Sequence, residues 1–152
     1  EADAERIEEV YVAEGAWKQL SEACKQKLSE LSCPYETVAD EVFRKMSDTQ
    51  TPQGILCVVR QYHYELNDIL VTEHPLLVVL EDIQDPGNLG TIFRTGEGAG
   101  VTGIIMSSHT VDIYNLKTIR STMGSIYRMP FIYVEDLQET LSVLKKKDIA
   151  IM

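Results

Sequence analysis

From Leu76 onward the chain repeats one pattern: a short aliphatic run, a turn rich in Gly, Pro, Asp or Asn, then apolar residues three and four apart. This reading places strands at 76–80, 103–107, 131–134 and from Ile149 onward. Helices run from the 84–88 turn to about Gly98, over 115–127 and over 136–146. Strands separated by helices of this length pair side by side in parallel through right-handed crossovers, so this half is α/β with a Rossmann-like parallel sheet. Ligands of such sheets bind beyond the carboxyl ends of the strands, which marks 84–90 and 107–115 as the working edge.

The first half alternates helical and extended signals less regularly. Residues 10–12 and Val38 read as short strands, and 16–31 carries helical spacing at Leu20, Cys24, Leu28 and Leu31. Asp40 is placed to cap a helix holding Val42, Phe43 and Met46, and the Thr-Pro-Gln-Gly break at 51–54 leads into an apolar strand at 55–59. The polar stretch 61–73 reads as an end strand plus linker. Two domains are therefore expected, a small α/β unit over 1–73, incomplete at its N-terminus, and a parallel-sheet unit over 74–152.

A composition of 44% hydrophobic and 25% charged residues excludes disordered and collagenous classes. The longest nearly apolar runs, 54–59 and 75–80, fall far short of the roughly 18–20 residues of a membrane helix, so no membrane partner is expected. The acidic start is no signal peptide. Cys24, Cys33 and Cys57 are odd in number and lack C-x-x-C spacing, which suits free thiols in a reducing, cytoplasmic setting. The chain carries a net charge of −10, with −8 in residues 1–76 and −2 in 77–152. Such a balance repels nucleic acid, whose binding rests on Lys and Arg at phosphates, so any RNA contact needs a local basic face.

Asp85-Pro86-Gly87-Asn88-Leu89-Gly90 follows one strand and opens a helix. Asn88 either caps that helix or points at a ligand. Leu89, Phe93, Gly96 and Gly100 fall on one face, with Phe93 toward the core and Gly96 permitting close packing. Arg94 stands one position off that stripe, where an i,i+3 ion pair with Glu97 is the plain structural alternative to a ligand role. In the next helix Leu116, Ile119, Met123 and Ile126 form the expected buried stripe, with Lys117, Arg120, Gly124 and Arg128 lined up beside it as an anion-facing surface or a solvated face. Gly98-Ala99-Gly100-Val101-Thr102-Gly103 has G-x-G-x-x-G form but precedes a strand, so no helix N-terminus follows to hold a pyrophosphate. Lys145, Lys146 and Lys147 end a helix, where its dipole favours cations. His63, His74 and His109 lack metal-ligand spacing, and no metal is expected.

Taken together, D-P-G-N-L-G-T-I-F-R-T-G-E-G-A-G (85–100), G-I-I-M-S (103–107) and N-L-K-T-I-R-S-T-M-G-S-I-Y-R-M-P (115–130) resemble the SpoU/TrmH family of RNA ribose 2′-O-methyltransferases, of the SPOUT superfamily. That family's pattern runs D-P-x-N-x-G-x-x-x-R-x-A-E-x-x-G, then K-x-x-R-x-S-x-G-x-x-x-x-x-P. Upstream, S-D-T-Q-T-P-Q-G-I-L-C-V-V (47–59) looks like the end of the substrate-binding domain that precedes many such catalytic domains. Departures are Gly96 for the usual Ala, Gly98-Ala99 where an aromatic often precedes the glycine, Leu116 for a frequent Pro and Thr122 for a frequent Ser.

The resemblance implies methyl transfer from S-adenosylmethionine to a ribose 2′-hydroxyl, the group that distinguishes RNA from DNA. It makes Arg94 the holder of the acceptor nucleotide, with Asn88 and Glu97 organising it, and gives RNA contact to Lys117, Arg120 and Arg128. A guanidinium stays protonated, so Arg94 suits phosphate clamping and electrostatic catalysis better than proton abstraction. Ribosomal RNA as substrate follows from the N-terminal resemblance, and a homodimer from the family. The family's cofactor pocket is built largely from a Gly-x-Glu and a Ser-Leu-Asn segment in a knotted region, and neither occurs before Met152. The chain is thus expected to be part of a longer protein and inactive alone. The rival reading is a non-catalytic RNA-binding or assembly module on the same fold. An unrelated nucleotide-binding α/β protein would need a phosphate loop, and none was found.

Overall fold

A computed structural model describes residues 4–152, and the chain divides into two compact units between Tyr62 and His63. In the first unit β1 (Ile7–Ala13) is the middle strand, parallel to β2 (Tyr35–Val38) and antiparallel to β3 (Ile55–Val59). Val10 and Val12 of β1 are buried, together with Phe43 of α3 (Asp40–Met46). The helix expected over 16–31 is two, α1 (Glu14–Gln19) and α2 (Glu22–Ser29). Ser21 separates them because its hydroxyl accepts the Cys24 N–H at 3.3 Å, a cap that starts a new helix. Asp40 does not cap α3 but is its first residue. Its carboxylate instead accepts the Gly15 N–H at 2.9 Å, tying α3 to the start of α1.

The second unit is a parallel sheet of order β4-β5-β6, with β4 (Leu77–Leu80), β5 (Gly103–Ser107) and β6 (Phe131–Val134). Every residue of β5 is buried, as expected of a strand covered on both faces. Alternation sends Ile105 and Ile132 to one face, where they meet Ile69 and Leu144 of α6 (Leu137–Lys146), with Leu137, Leu141 and Ile149 packed alongside. Toward the other face Phe131 packs edge-on against Phe93 of α4 (Pro86–Gly98), with ring centroids 5.6 Å apart.

Three expectations change. The stretch 61–73 is not a strand plus linker: Leu66–Ile69 forms a 3-10 turn that buries Ile69 in the second unit's core. An added Cβ at Gly103 would lie 2.8 Å from the Ile69 Cβ, so this turn sits directly on the sheet. The helix expected over 115–127 stops early as α5 (Leu116–Ser121). Met123 and Gly124 follow in left-handed conformation, with φ of 52° and 90°, and lead into a 3-10 turn at Ser125–Tyr127. Residues 149–152 form no strand.

Candidate active site

The two loops marked as the working edge do meet. Gln84 Nε2 donates to the His109 carbonyl at 2.7 Å, and the Val111 N–H to the Ile83 carbonyl at 2.8 Å. Asp82, held at φ 52°, donates its N–H to Ser107 Oγ, which returns a hydrogen bond to Asp82 Oδ1, each at 2.9 Å. Tyr133 fastens the same edge from β6: its hydroxyl donates to the Val111 carbonyl and accepts the Ile113 N–H, both at 2.8 Å. Burial pushes the Tyr133 phenol up to about 12, against the lowering effect of the Ile113 N–H. None of these pairings was legible in the sequence, because a lone Asp, Ser or Tyr at a strand end carries no periodic signal.

The first turn of α4 is capped by Asp85, whose carboxylate accepts the Asn88 N–H at 2.7 Å. Asn88 is therefore not the cap. Its side chain is exposed and has no hydrogen-bond partner among the described residues. Helices α4 and α5 approach so closely at Gly90 that a Cβ there would lie 2.7 Å from the Ser121 Cβ and 2.9 Å from its carbonyl carbon. Ser121 Oγ closes the joint by donating to the Pro86 carbonyl at 3.2 Å. Gly96, by contrast, leaves ordinary room, with Val101 Cβ 3.5 Å from the added carbon. Close approach selects small side chains, and so α5 buries Thr118 and Thr122. The expected buried stripe is wrong in part: Ile126 is buried, but Leu116 is 49% and Met123 71% exposed.

The charges are redistributed as well. Glu97 does not pair with Arg94. Its two carboxylate oxygens take a fork from Arg128, Nε to Oε1 and Nη2 to Oε2, the latter at 3.0 Å. The Arg128 guanidinium holds the Glu97 carboxyl below the usual carboxylate range, with a hydrogen bond from Ser125 adding to the effect. Arg94, two turns into α4 and about 9 Å of helix rise beyond Asn88, is exposed and has no partner among the described residues. Lys117 Nζ stands 3.8 Å from Asp85 Oδ2, and Arg120 is also engaged. Because α5 ends at Ser121, Lys117, Arg120, Gly124 and Arg128 do not share one continuous helix face. The second unit thus presents one unpaired guanidinium, Arg94, on the helix whose Glu97 is engaged by Arg128. Asp82, Ser107, Gln84 and Tyr133 are committed to one another and to the loops. They make no site for S-adenosylmethionine by themselves.

Residues 75–152 match the model of the SpoU rRNA methylase family, and residues 1–65 match that of the RNA 2′-O ribose methyltransferase substrate-binding domain. Among curated relatives, the Bacillus subtilis 23S rRNA (guanosine(2553)-2′-O)-methyltransferase RlmP is 33% identical over 66% of this chain and 41% of its own length. The Haemophilus ducreyi 23S rRNA (guanosine-2′-O-)-methyltransferase RlmB is 28% identical over 94% of this chain and 60% of its own. Among solved structures, the AdoMet-bound rRNA methyltransferase from Sinorhizobium meliloti superimposes with a TM-score of 0.74 at 28% identity, covering 93% of this chain and 51% of that one. The SpoU methyltransferase AviRb from Streptomyces viridochromogenes reaches 0.79 at 23% identity over 93% of this chain and 53% of its own, a likeness of fold. The chain thus spans 22% to 60% of the length of the curated relatives it matches. With one family model on the parallel-sheet unit, its substrate-binding counterpart on the unit before it, and the D-P-x-N-x-G turn opening α4, this chain belongs to the SpoU rRNA methylase family.

Proposed function

We propose that the complete protein transfers a methyl group to a ribose 2′-hydroxyl of ribosomal RNA, and that this chain supplies the acceptor side of the reaction. S-adenosylmethionine supplies the methyl group when bound. The observation that carries the acceptor role is Arg94: an exposed guanidinium without a partner, in a chain of net charge −10, on the helix that opens from the family's turn. A guanidinium open to solvent in this way can take a nucleotide phosphate by two parallel hydrogen bonds and stabilise charge that develops on the attacking oxygen. It does not take the proton, which leaves to a substrate phosphate or to water. Asn88, with its amide unengaged on the first turn of the same helix, is placed to help orient the nucleotide. Glu97, taken up by the Arg128 fork, has no part in holding the nucleotide. Lys117 and Arg120 are assigned to the phosphate backbone of the RNA.

The relatives RlmP and RlmB, both named as acting on 23S rRNA, support the ribosomal assignment. The homodimeric state rests on the family, and the cytoplasmic setting on the unbridged Cys24, Cys33 and Cys57. In the complete protein, Arg94→Ala is expected to lower single-turnover methyl transfer by about two orders of magnitude while S-adenosylmethionine affinity, read by calorimetry, stays within about twofold. Wild-type transfer by Arg94→Ala would refute the role. RNA binding without any methyl transfer by the wild-type protein would instead favour the non-catalytic module.

A further inference from the structure

We infer that Arg128 is a positioning residue whose task is to hold Glu97 away from Arg94, so that the Arg94 guanidinium stays open to the RNA. The inference rests on the acceptor role proposed for Arg94, and it replaces a phosphate contact by Arg128. Arg94 and Glu97 are three residues apart on α4, a spacing at which opposite charges pair on a helix surface. Glu97 is the only carboxylate within α4 itself, so it is the intrahelical partner open to Arg94. That pairing does not occur: the Glu97 carboxylate is turned to Arg128, whose fork engages both of its oxygens.

The backbone around Arg128 is arranged for this contact. Two consecutive left-handed residues, Met123 and Gly124, end α5 and start the turn that carries Arg128 toward α4. Met123 adopts this conformation at a cost, since a side chain disfavours positive φ. Gly124 does so freely. A Cβ there would lie 3.5 Å from Arg128 Nη1, an ordinary contact, so the glycine serves the turn by its φ and not by its lack of bulk. The Arg128 N–H in turn donates to the Ser125 carbonyl at 2.9 Å, fixing the root of the side chain. A guanidinium turned in this way onto a carboxylate has its charge offset toward a phosphate, whereas the same pair leaves Arg94 without a competitor on its own helix.

The test compares Arg128→Met, which keeps the apolar stem, with Arg128→Met/Glu97→Gln in the complete protein, reading methyl transfer on its rRNA substrate as kcat/KM. Arg128→Met should lose about tenfold, because the released carboxylate both pairs with Arg94 and repels phosphate. The double variant should return to within about threefold of wild type, because the competing charge is gone although the ion pair is still broken. Arg128→Lys keeps the charge and one hydrogen bond. It should lose about twofold, and only while Glu97 is charged, so its own rescue by Glu97→Gln decides the matter if Arg128→Met melts below the assay temperature. Full activity in Arg128→Met would overturn the inference. So would a double variant as impaired as the single one, since Arg128 would then be touching RNA or merely bracing the fold. An Arg94→Ala protein with wild-type activity would remove the underlying reading instead, and is scored separately.

Discussion

Gly90→Ala is the substitution whose cost can be worked most directly from the structure. The new methyl carbon would lie 1.8 Å from Ser121 Oγ, 2.7 Å from the Ser121 Cβ and 2.9 Å from its carbonyl carbon. Rotating the hydroxyl relieves only the first contact. The other two involve atoms fixed to the α5 backbone, so α5 must withdraw by roughly 1 Å to reach ordinary carbon–carbon separations of about 3.5–4 Å. Overpacking of this kind costs about 1–3 kcal/mol, and the better helix propensity of alanine returns about 0.5–1 kcal/mol. A net loss of about 1–2 kcal/mol in a unit of this size corresponds to a fall in Tm of about 5–15 °C. Gly96→Ala is the matched control on the same helix. Its Cβ meets Val101 and Met129 no closer than 3.5 Å, so it should gain stability or leave it unchanged. Thermal melts followed by circular dichroism decide between them. Ser121→Gly placed in the Gly90→Ala background should recover part of the loss, since the carbonyl carbon remains. A Gly90→Ala protein that melts with wild type, or a Gly96→Ala protein that falls as far, would refute the close-approach argument.

Two further outcomes follow from the core and from the loop edge. Ile69→Ala should destabilise the second unit by about 2–4 kcal/mol in urea melts, because Ile69 is buried against Ile105, Ile132 and Leu144; an unchanged midpoint would return 61–73 to the status of a linker. Tyr133 is raised from 10 to about 12, so its contribution to stability is complete below pH 10 and is lost as the pH climbs toward 12. Absorbance at 295 nm should show one late-titrating tyrosine that vanishes in Tyr133→Phe, and that variant should lose about 1 kcal/mol with its two hydrogen bonds to the 111–113 loop.

The order of strands and helices from Leu76 to Lys146, the parallel pairing of β4 with β5, and the turn that opens α4 were all legible in the sequence, because each is written in local periodicity and turn chemistry, whereas the strand expected from Ile149 is absent. Local pattern also carried the apolar side of α4, where Leu89 and Phe93 are fully buried as their spacing demands. It misled wherever a second element decided the outcome. The pattern over 115–127 asks for a long helix burying Leu116 and Met123. Instead Ser121 meets Gly90, Thr118 and Thr122 are the buried residues, and the left-handed Met123 and Gly124 end the helix. Ile69 looked like linker because its partners lie on β5, β6 and α6. The site shows the same division. The family resemblance singled out Arg94 and Glu97, the row of cations over 117–128 added Arg128, and spacing made Arg94–Glu97 the natural pair. Which two of the three would join depended on where a turn 31 residues further on delivers a guanidinium. An ion pair across elements is chosen by three-dimensional approach and competition for one carboxylate, and neither is encoded in the residues' separation along the chain.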